Sequence, residues 1–273
     1  MRTGLRASLA VFAVVLALVA SSASAAVFTL EDQNSSAIFD MAGDGQIVWV
    51  VDGVDQLFEQ SFWWRVGSAG AEAPVTGLDV IGSLASDSNP WSDSRADVLG
   101  TLYRDPAQRF EIEVSYKLRG GLLGTKTSDL AETIVIRNLS ATSLAFNFFQ
   151  YVDFDLGGLA DDDTVWFSND NTVVQVSEDM MVTETVVTPV AANRQADYIP
   201  VLIDLLTDSD PTTLANNNGP LGPGNVAWAF QWTFDLAPGG TFIISKDKLI
   251  VPEPTTMALL GCGLFAGLIR RRR

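Results

Sequence analysis

Between residues 109 and 119 the chain alternates with a period of two. Phe110, Ile112, Val114, Tyr116 and Leu118 fall on one side; Arg109, Glu111, Glu113, Ser115, Lys117 and Arg119 fall on the other. That is the pattern of a strand with one buried and one wet face. Strands are also predicted at 46–51, 54–66, 130–137, 144–154, 164–167, 172–176, 182–187, 225–236 and 241–251. Asp52-Gly53 marks a tight hairpin between the first two. Pro238-Gly239-Gly240 predicts a second hairpin between the last two, because proline fixes φ and glycine accepts positive φ. No long 3.6-residue pattern appears between residues 26 and 250, where 198–206 is the best helical candidate. No repeat of fixed period is visible. Stretches 69–74, 85–96 and 208–225 are turn-rich and read as surface loops. About twelve strands joined by such loops predict an all-β fold, an antiparallel β-sandwich in one domain.

The two ends break this pattern. Arg2 and Arg6 precede an unbroken apolar run at 9–20, and Ala23-Ser24-Ala25 supplies small residues. Charge, short apolar run and small-x-small site together predict a secretory signal peptide cut after Ala25. At the other end, Pro252-Glu253-Pro254 precedes two threonines, an apolar run at 257–269, and Arg270, Arg271, Arg272 and Arg273. Both apolar runs fall short of the roughly 20 residues that span a bilayer comfortably. This disfavours the alternatives, an uncleaved N-terminal anchor and a plain tail anchor. Four arginines hold the C-terminus on the cytoplasmic side.

The order of Pro-Glu-Pro, apolar stretch and arginine cluster resembles the PEP-CTERM sorting signal, which an exosortase recognises. The resemblance covers 251–273 and implies a Gram-negative, exopolysaccharide-producing bacterium. It also implies a transient inner-membrane intermediate, cleavage near the Pro-Glu-Pro triplet, and a body released or attached at the cell surface. The chain thus divides into a signal peptide (1–25), a sandwich domain (26–250) and a sorting signal with a short membrane helix (251–273). Its processing partners are signal peptidase and exosortase.

The ends also distort the charge. The whole chain carries 17 basic and 33 acidic residues, a net −16. Six of the basic residues but only Glu253 of the acidic ones lie in the ends. Residues 26–250 therefore carry eleven basic against 32 acidic groups, a net −21. Such a body repels nucleic acid phosphates and anionic lipid. There is no histidine, and the lone cysteine, Cys262, lies in the tail. Cys/His and Ser/His/Asp nucleophile systems lack their base, and the usual zinc sites lack their ligands.

Three sets of residues are candidate sites. Asp153, Asp155, Asp161, Asp162 and Asp163, with Gly157 and Gly158, offer the oxygens a weak Ca²⁺ site needs, although the spacing departs from an EF-hand. A solvated turn is the other reading. Glu132, Asp153 and Asp155 are candidate carboxylates for sugar cleavage, which needs two across a cleft. Among the tryptophans, Trp63, Trp64 and Trp91 are candidates for stacking on sugar rings; Trp63 and Trp64, adjacent in one strand, must face opposite sides. Asn34-Ser35-Ser36 and Asn138-Leu139-Ser140 match a glycosylation sequon and read as turns. The sequence-based expectation is a non-enzymatic surface or matrix protein, structural or binding, whose further partner is exopolysaccharide. The alternative is a carboxylate-dependent polysaccharide hydrolase or lyase on a sandwich fold.

Overall fold

The structure, a computed structural model, describes residues 27–91 and 93–253. Its elements in chain order are β1 (Val27–Asp32), β2 (Ser35–Asp40), β3 (Gly45–Val51), β4 (Val54–Asp55), β5 (Leu57–Val66), β6 (Ala73–Pro74), β7 (Asp79–Ser86), β8 (Val98–Arg104), β9 (Phe110–Gly120), β10 (Ser128–Asn138), β11 (Leu144–Phe154), β12 (Asp163–Asn169), β13 (Thr172–Val176), β14 (Met180–Thr188), β15 (Asn193–Tyr198), α1 (Val201–Thr207), β16 (Leu221–Gly224), β17 (Val226–Leu236) and β18 (Thr241–Pro252). One sheet runs β1-β2-β3-β5-β11-β17-β15, with β4 on β3 and β6 on β5. The second runs β16-β12-β13-β14-β18-β10-β9-β8-β7. Neighbouring strands pair antiparallel, so the expected antiparallel sandwich is the fold.

The alternation read at β9 sets its orientation: Phe110, Ile112, Val114, Tyr116 and Leu118 are all buried between the sheets. They meet an aromatic layer from the first sheet that includes Trp49, Phe146, Phe148, Phe154, Trp228 and Phe230. Asp52 and Gly53 both take positive φ, 50° and 83°, as a two-residue turn matched to the strand twist requires. Strand 54–66 is divided at Gln56, whose N–H bonds Trp49 O at 2.9 Å.

Several expectations change. The second hairpin does not form: β17 lies in the first sheet and β18 in the second, so the Pro-Gly-Gly turn carries the chain across the sandwich. The strand count exceeds twelve because the predicted ranges miss β1, β2, β6, β7, β8, β15 and β16; β15 and β16 lack a clear apolar alternation, although Ala196 of β15 is buried in the core. The helix starts at Val201, since Tyr198 still belongs to β15 and the residue before a proline disfavours the helical region. Stretch 208–225 is no free surface loop, because Thr212 and Leu214 are buried.

A charged cluster sits inside the core. Glu132, Lys246 and Lys248 of the second sheet are fully buried, and both ammonium groups bond the Glu132 carboxylate. Glu184, also buried, lies 3.4 Å from Lys246 Nζ. Gln60 donates to Glu132 at 2.7 Å, and Gln150 donates to Gln60 and to Glu184 at 3.1 and 2.9 Å. Two cations and two anions thus neutralise each other within a hydrogen-bonded group. Burial would raise the Glu132 carboxyl, but the two lysines and their hydrogen bonds pull it down to about 2. Burial holds Lys248 below the usual ammonium range despite Glu132.

Ala25, Pro254 and Arg270 to Arg273, with the expected signal peptide and the expected tail helix, lie outside the described residues. Among those described, no helix is long and apolar enough to cross a membrane. Pro252 is the last residue of β18, and Glu253 N bonds Asp179 O at 2.9 Å.

Candidate functional site

The face of the first sheet turned away from the second carries four rows of side chains fixed by strand register. One row is Glu59 on β5, Asp153 on β11, Ala227 on β17 and Asp197 on β15. The next is Ser61, Tyr151, Ala229 and Gln195; then Trp63, Phe149, Gln231 and Asn193; then Arg65, Asn147 and Thr233. A sheet face this apolar at its centre must be covered. Leu202 and Leu206, four apart on one side of α1, pack with Leu214 onto Phe149, Tyr151, Ala227 and Ala229. The segment after α1 is tied down by polar side chains. Arg65 bonds Glu72 at 2.7 Å and Thr212 O at 3.0 Å, and Thr212 N donates to Glu72 at 3.0 Å. Gln231 accepts Leu214 N at 2.9 Å, and Gln195 accepts Ala215 N at 2.7 Å.

At one end of this face the cover gives way to carboxylates. Asp153 is only 4% exposed, and its Oδ1 has no hydrogen-bond partner among the described residues. The Tyr151 hydroxyl donates to its Oδ2 at 3.5 Å. Glu59 is its direct cross-strand neighbour, a relation that sets Cβ atoms about 4.5–5.5 Å apart. Burial, with the negative charges of Asp155 and Glu59, pushes the Asp153 carboxyl up to about 7; the Tyr151 contact opposes this. Burial likewise raises Glu59, with Asp44 adding to the effect and a hydrogen bond from Ser61 opposing it. Burial and the Asp153 charge hold the Tyr151 phenol protonated. The result is a partly dry pair of carboxyls beside a phenol, one of them able to give up a proton near neutrality.

The five aspartates expected to form one loop site divide between the two sheets and the loop that joins them. Asp153 faces outward from the first sheet. Asp163 is fully buried on the second, where its Oδ2 accepts Gln175 Nε2 at 2.6 Å and Leu156 N at 3.2 Å. Burial, with Asp162 and Asp155, pushes Asp163 up to about 8 against those two hydrogen bonds. Asp155 is half-buried and Asp161 exposed, and the Oδ1 of Asp162 is buried without a partner among the described residues. No group of three or more acidic, histidine or cysteine side chains among the described residues is arranged to hold a metal.

The expected trio of Glu132, Asp153 and Asp155 does not converge either: Glu132 points into the core of the second sheet and is held by two lysines. Trp63 and Trp64 do face opposite sides. Trp63 lies on the outer face, about 13 Å along β5 from Glu59 at strand spacing, and donates to Ser61 Oγ at 3.1 Å. Trp64 packs inward, its ring 4.8 Å from Phe110. Trp91 is 95% exposed. Glu59 and Tyr151 escaped the sequence reading, because only β5–β11 register brings Glu59 to Asp153.

Residues 251–273 match the PEP-CTERM protein-sorting motif, which indicates export and a cell-surface or extracellular location. The chain matches no curated protein. Its fold is similar to those of three solved structures. A bacterial glucoamylase complexed with acarbose covers 86% of this chain at 11% identity and a TM-score of 0.57. This chain spans about a third, 33%, of that enzyme. Galactose 1-epimerase from Lactobacillus acidophilus NCFM shares 12% identity over 83% of this chain and 94% of its own, with a TM-score of 0.53. The Slr1438 protein from Synechocystis sp. PCC 6803 shares 10% identity over 87% of this chain and 100% of its own, with a TM-score of 0.54. Two of these are carbohydrate enzymes by name. The expected non-enzymatic reading is corrected on this finding: proteins named as sugar enzymes share the fold, which favours the enzymatic alternative.

Proposed function

We propose that this exported protein is a carboxylate-dependent enzyme acting at the anomeric carbon of a saccharide. Glu59 and Asp153 form the acid–base pair, and Tyr151 orients Asp153. The observation that carries the reading is the pairing itself: two directly opposed carboxyls on a largely dry sheet face, one with a buried oxygen that has no partner among the described residues. Glycosidic cleavage and anomer interconversion both need one group to protonate an oxygen while another takes a proton or attacks. A carboxyl raised to about 7 retains a proton to give at neutral pH, and direct cross-strand pairing puts the second carboxyl on the same sheet face beside it. The absence of histidine leaves this work to carboxyls and a phenol. Sugar enzymes among the fold's relatives support the substrate class. Exosortase cleavage near Pro252-Glu253-Pro254, after a transient inner-membrane stage, delivers the body to the cell surface, where polysaccharide is at hand.

The test is two assays on the purified full chain: release of reducing ends from polysaccharide, and polarimetric interconversion of free aldose anomers. Activity in one of them is expected, falling above about pH 7 as Asp153 loses its proton. Asp153→Asn and Glu59→Gln should each lower kcat by about 10²–10⁴-fold. A wild-type chain inactive in both assays, or an Asp153→Asn variant as active as wild type, overturns the reading.

A further inference from the structure

The second sheet also has an outward face, and it holds a cleft of about 230 Å³ near its β7 edge. We propose that this cleft is an accessory binding site for one neutral sugar unit of a polysaccharide, separate from the carboxylate pair on the first sheet. The inference rests on the saccharide reading above for the class of ligand, and on the cleft's own geometry for everything else.

The cleft exists because of a missing side chain. Leu84, Gly100 and Ser115 lie side by side on β7, β8 and β9, and Gly100 leaves a gap in the middle of the row. Val98 and Leu102, two residues either way along β8, wall the gap together with Leu84, which is 49% exposed. An apolar floor of this kind suits the C–H face of a sugar ring. Hydroxyls need partners around such a floor, and they are present: Ser86 and Ser115 at the side, and Glu113 and Arg137 at one end. Arg137 donates to Glu113 at 3.0 Å, and both remain partly exposed. An acceptor carboxylate beside a donor guanidinium can bridge two neighbouring hydroxyls, one as acceptor and one as donor.

Size and charge narrow the ligand. The volume is below the roughly 300 Å³ at which pockets for drug-sized ligands begin, so it takes one ring rather than several. Glu113 and Arg137 cancel, leaving a neutral cleft on a body of net −21. The surrounding field repels a polyanion, which favours a neutral glycan over an acidic one. The two sites sit on opposite outer faces of the sandwich, so a ring seated in the cleft is not the ring being turned over by the same molecule's carboxylates. The cleft therefore acts as an anchor that keeps the protein on its polymer.

Gly100 provides the cleanest test. A Cβ there would meet only Ser115 Oγ, at an ordinary 3.8 Å, so Gly100→Val fills the cleft without forcing the backbone. Full-length protein is run by affinity electrophoresis through gels containing amylose, dextran, galactan or alginate. Retardation by at least one neutral glycan and little by alginate is expected. Gly100→Val and Arg137→Gln should each weaken it about tenfold or more, as loss of the ring's seat or of a charged hydrogen bond predicts. Asp153→Asn should be retarded like wild type, and Gly100→Val should keep full activity on a small soluble sugar substrate. No retardation of wild type by any neutral glycan, or unchanged retardation of both cleft variants, overturns the proposal. Loss of activity in Asp153→Asn would still leave the catalytic reading standing.

Discussion

Lys246 shows how far one residue's surroundings can override its type. Lysine is among the residues least often buried, yet here its ammonium contacts Glu132, lies 3.4 Å from Glu184 and sits 4.9 Å from the centre of the Phe62 ring. Removing one partner of a buried pair leaves an uncompensated charge. Lys246→Met is therefore expected to lower the unfolding free energy by about 3–5 kcal/mol, read from urea denaturation. A loss below about 1 kcal/mol would mean that water reaches the cluster. Asp153 illustrates the same principle from the other direction: with no cation beside it among the described residues, burial leaves it protonated far above the usual carboxylate range. Both residues stand in alternating strands whose sequence marks them only as inward or outward. Neither the lysine's acidic partners nor the aspartate's lack of a basic one can be read locally.

At the scale of the element, α1 is instructive because its seven residues are too few to be helical unaided. It persists because Leu202 and Leu206 cap the apolar centre of the first sheet's outer face. Leu206→Ala is expected to cost about 2–5 kcal/mol and to loosen the segment that Arg65 and Glu72 hold at Thr212. Urea denaturation gives the first effect, and faster amide exchange across 208–217 the second; normal exchange there would show that the polar ties suffice alone. The strands were legible wherever apolar and polar residues alternate, as in β9 and β10. They were not legible where that alternation is missing, as in the largely polar β15. The Asp52-Gly53 turn was legible because its two positive φ angles favour those residues, whereas the Pro-Gly-Gly turn revealed a reversal but not that it crosses between sheets.

For the whole molecule, acidity and burial combine into a pH dependence of stability. Asp153 and Asp163, raised to about 7 and about 8 from an ordinary value near 3.8, bind more protons folded than unfolded across that window. Stability therefore falls as pH rises from about 4 to 8. Glu132, lowered to about 2 from 4.5, works oppositely: its contribution is present above about pH 4.5 and is lost as pH falls toward 2. Maximum thermal stability is expected near pH 4–5, measured by calorimetry across pH 2–9. In Asp163→Asn the decline toward pH 8 should be shallower; a midpoint flat from pH 4 to 8 in wild type would refute the assignment. The sequence by itself determined the sorting signal, the sandwich class and the exclusion of histidine chemistry, because terminal motifs, period-two alternation and composition are local or additive properties. Only the tertiary structure decided that Glu59 opposes Asp153, that Glu132 is locked to lysines more than a hundred residues away, and that a glycine opens a cleft on the second sheet. Those facts depend on which strands become neighbours and in what register, and each alternating strand offers its partners the same two faces.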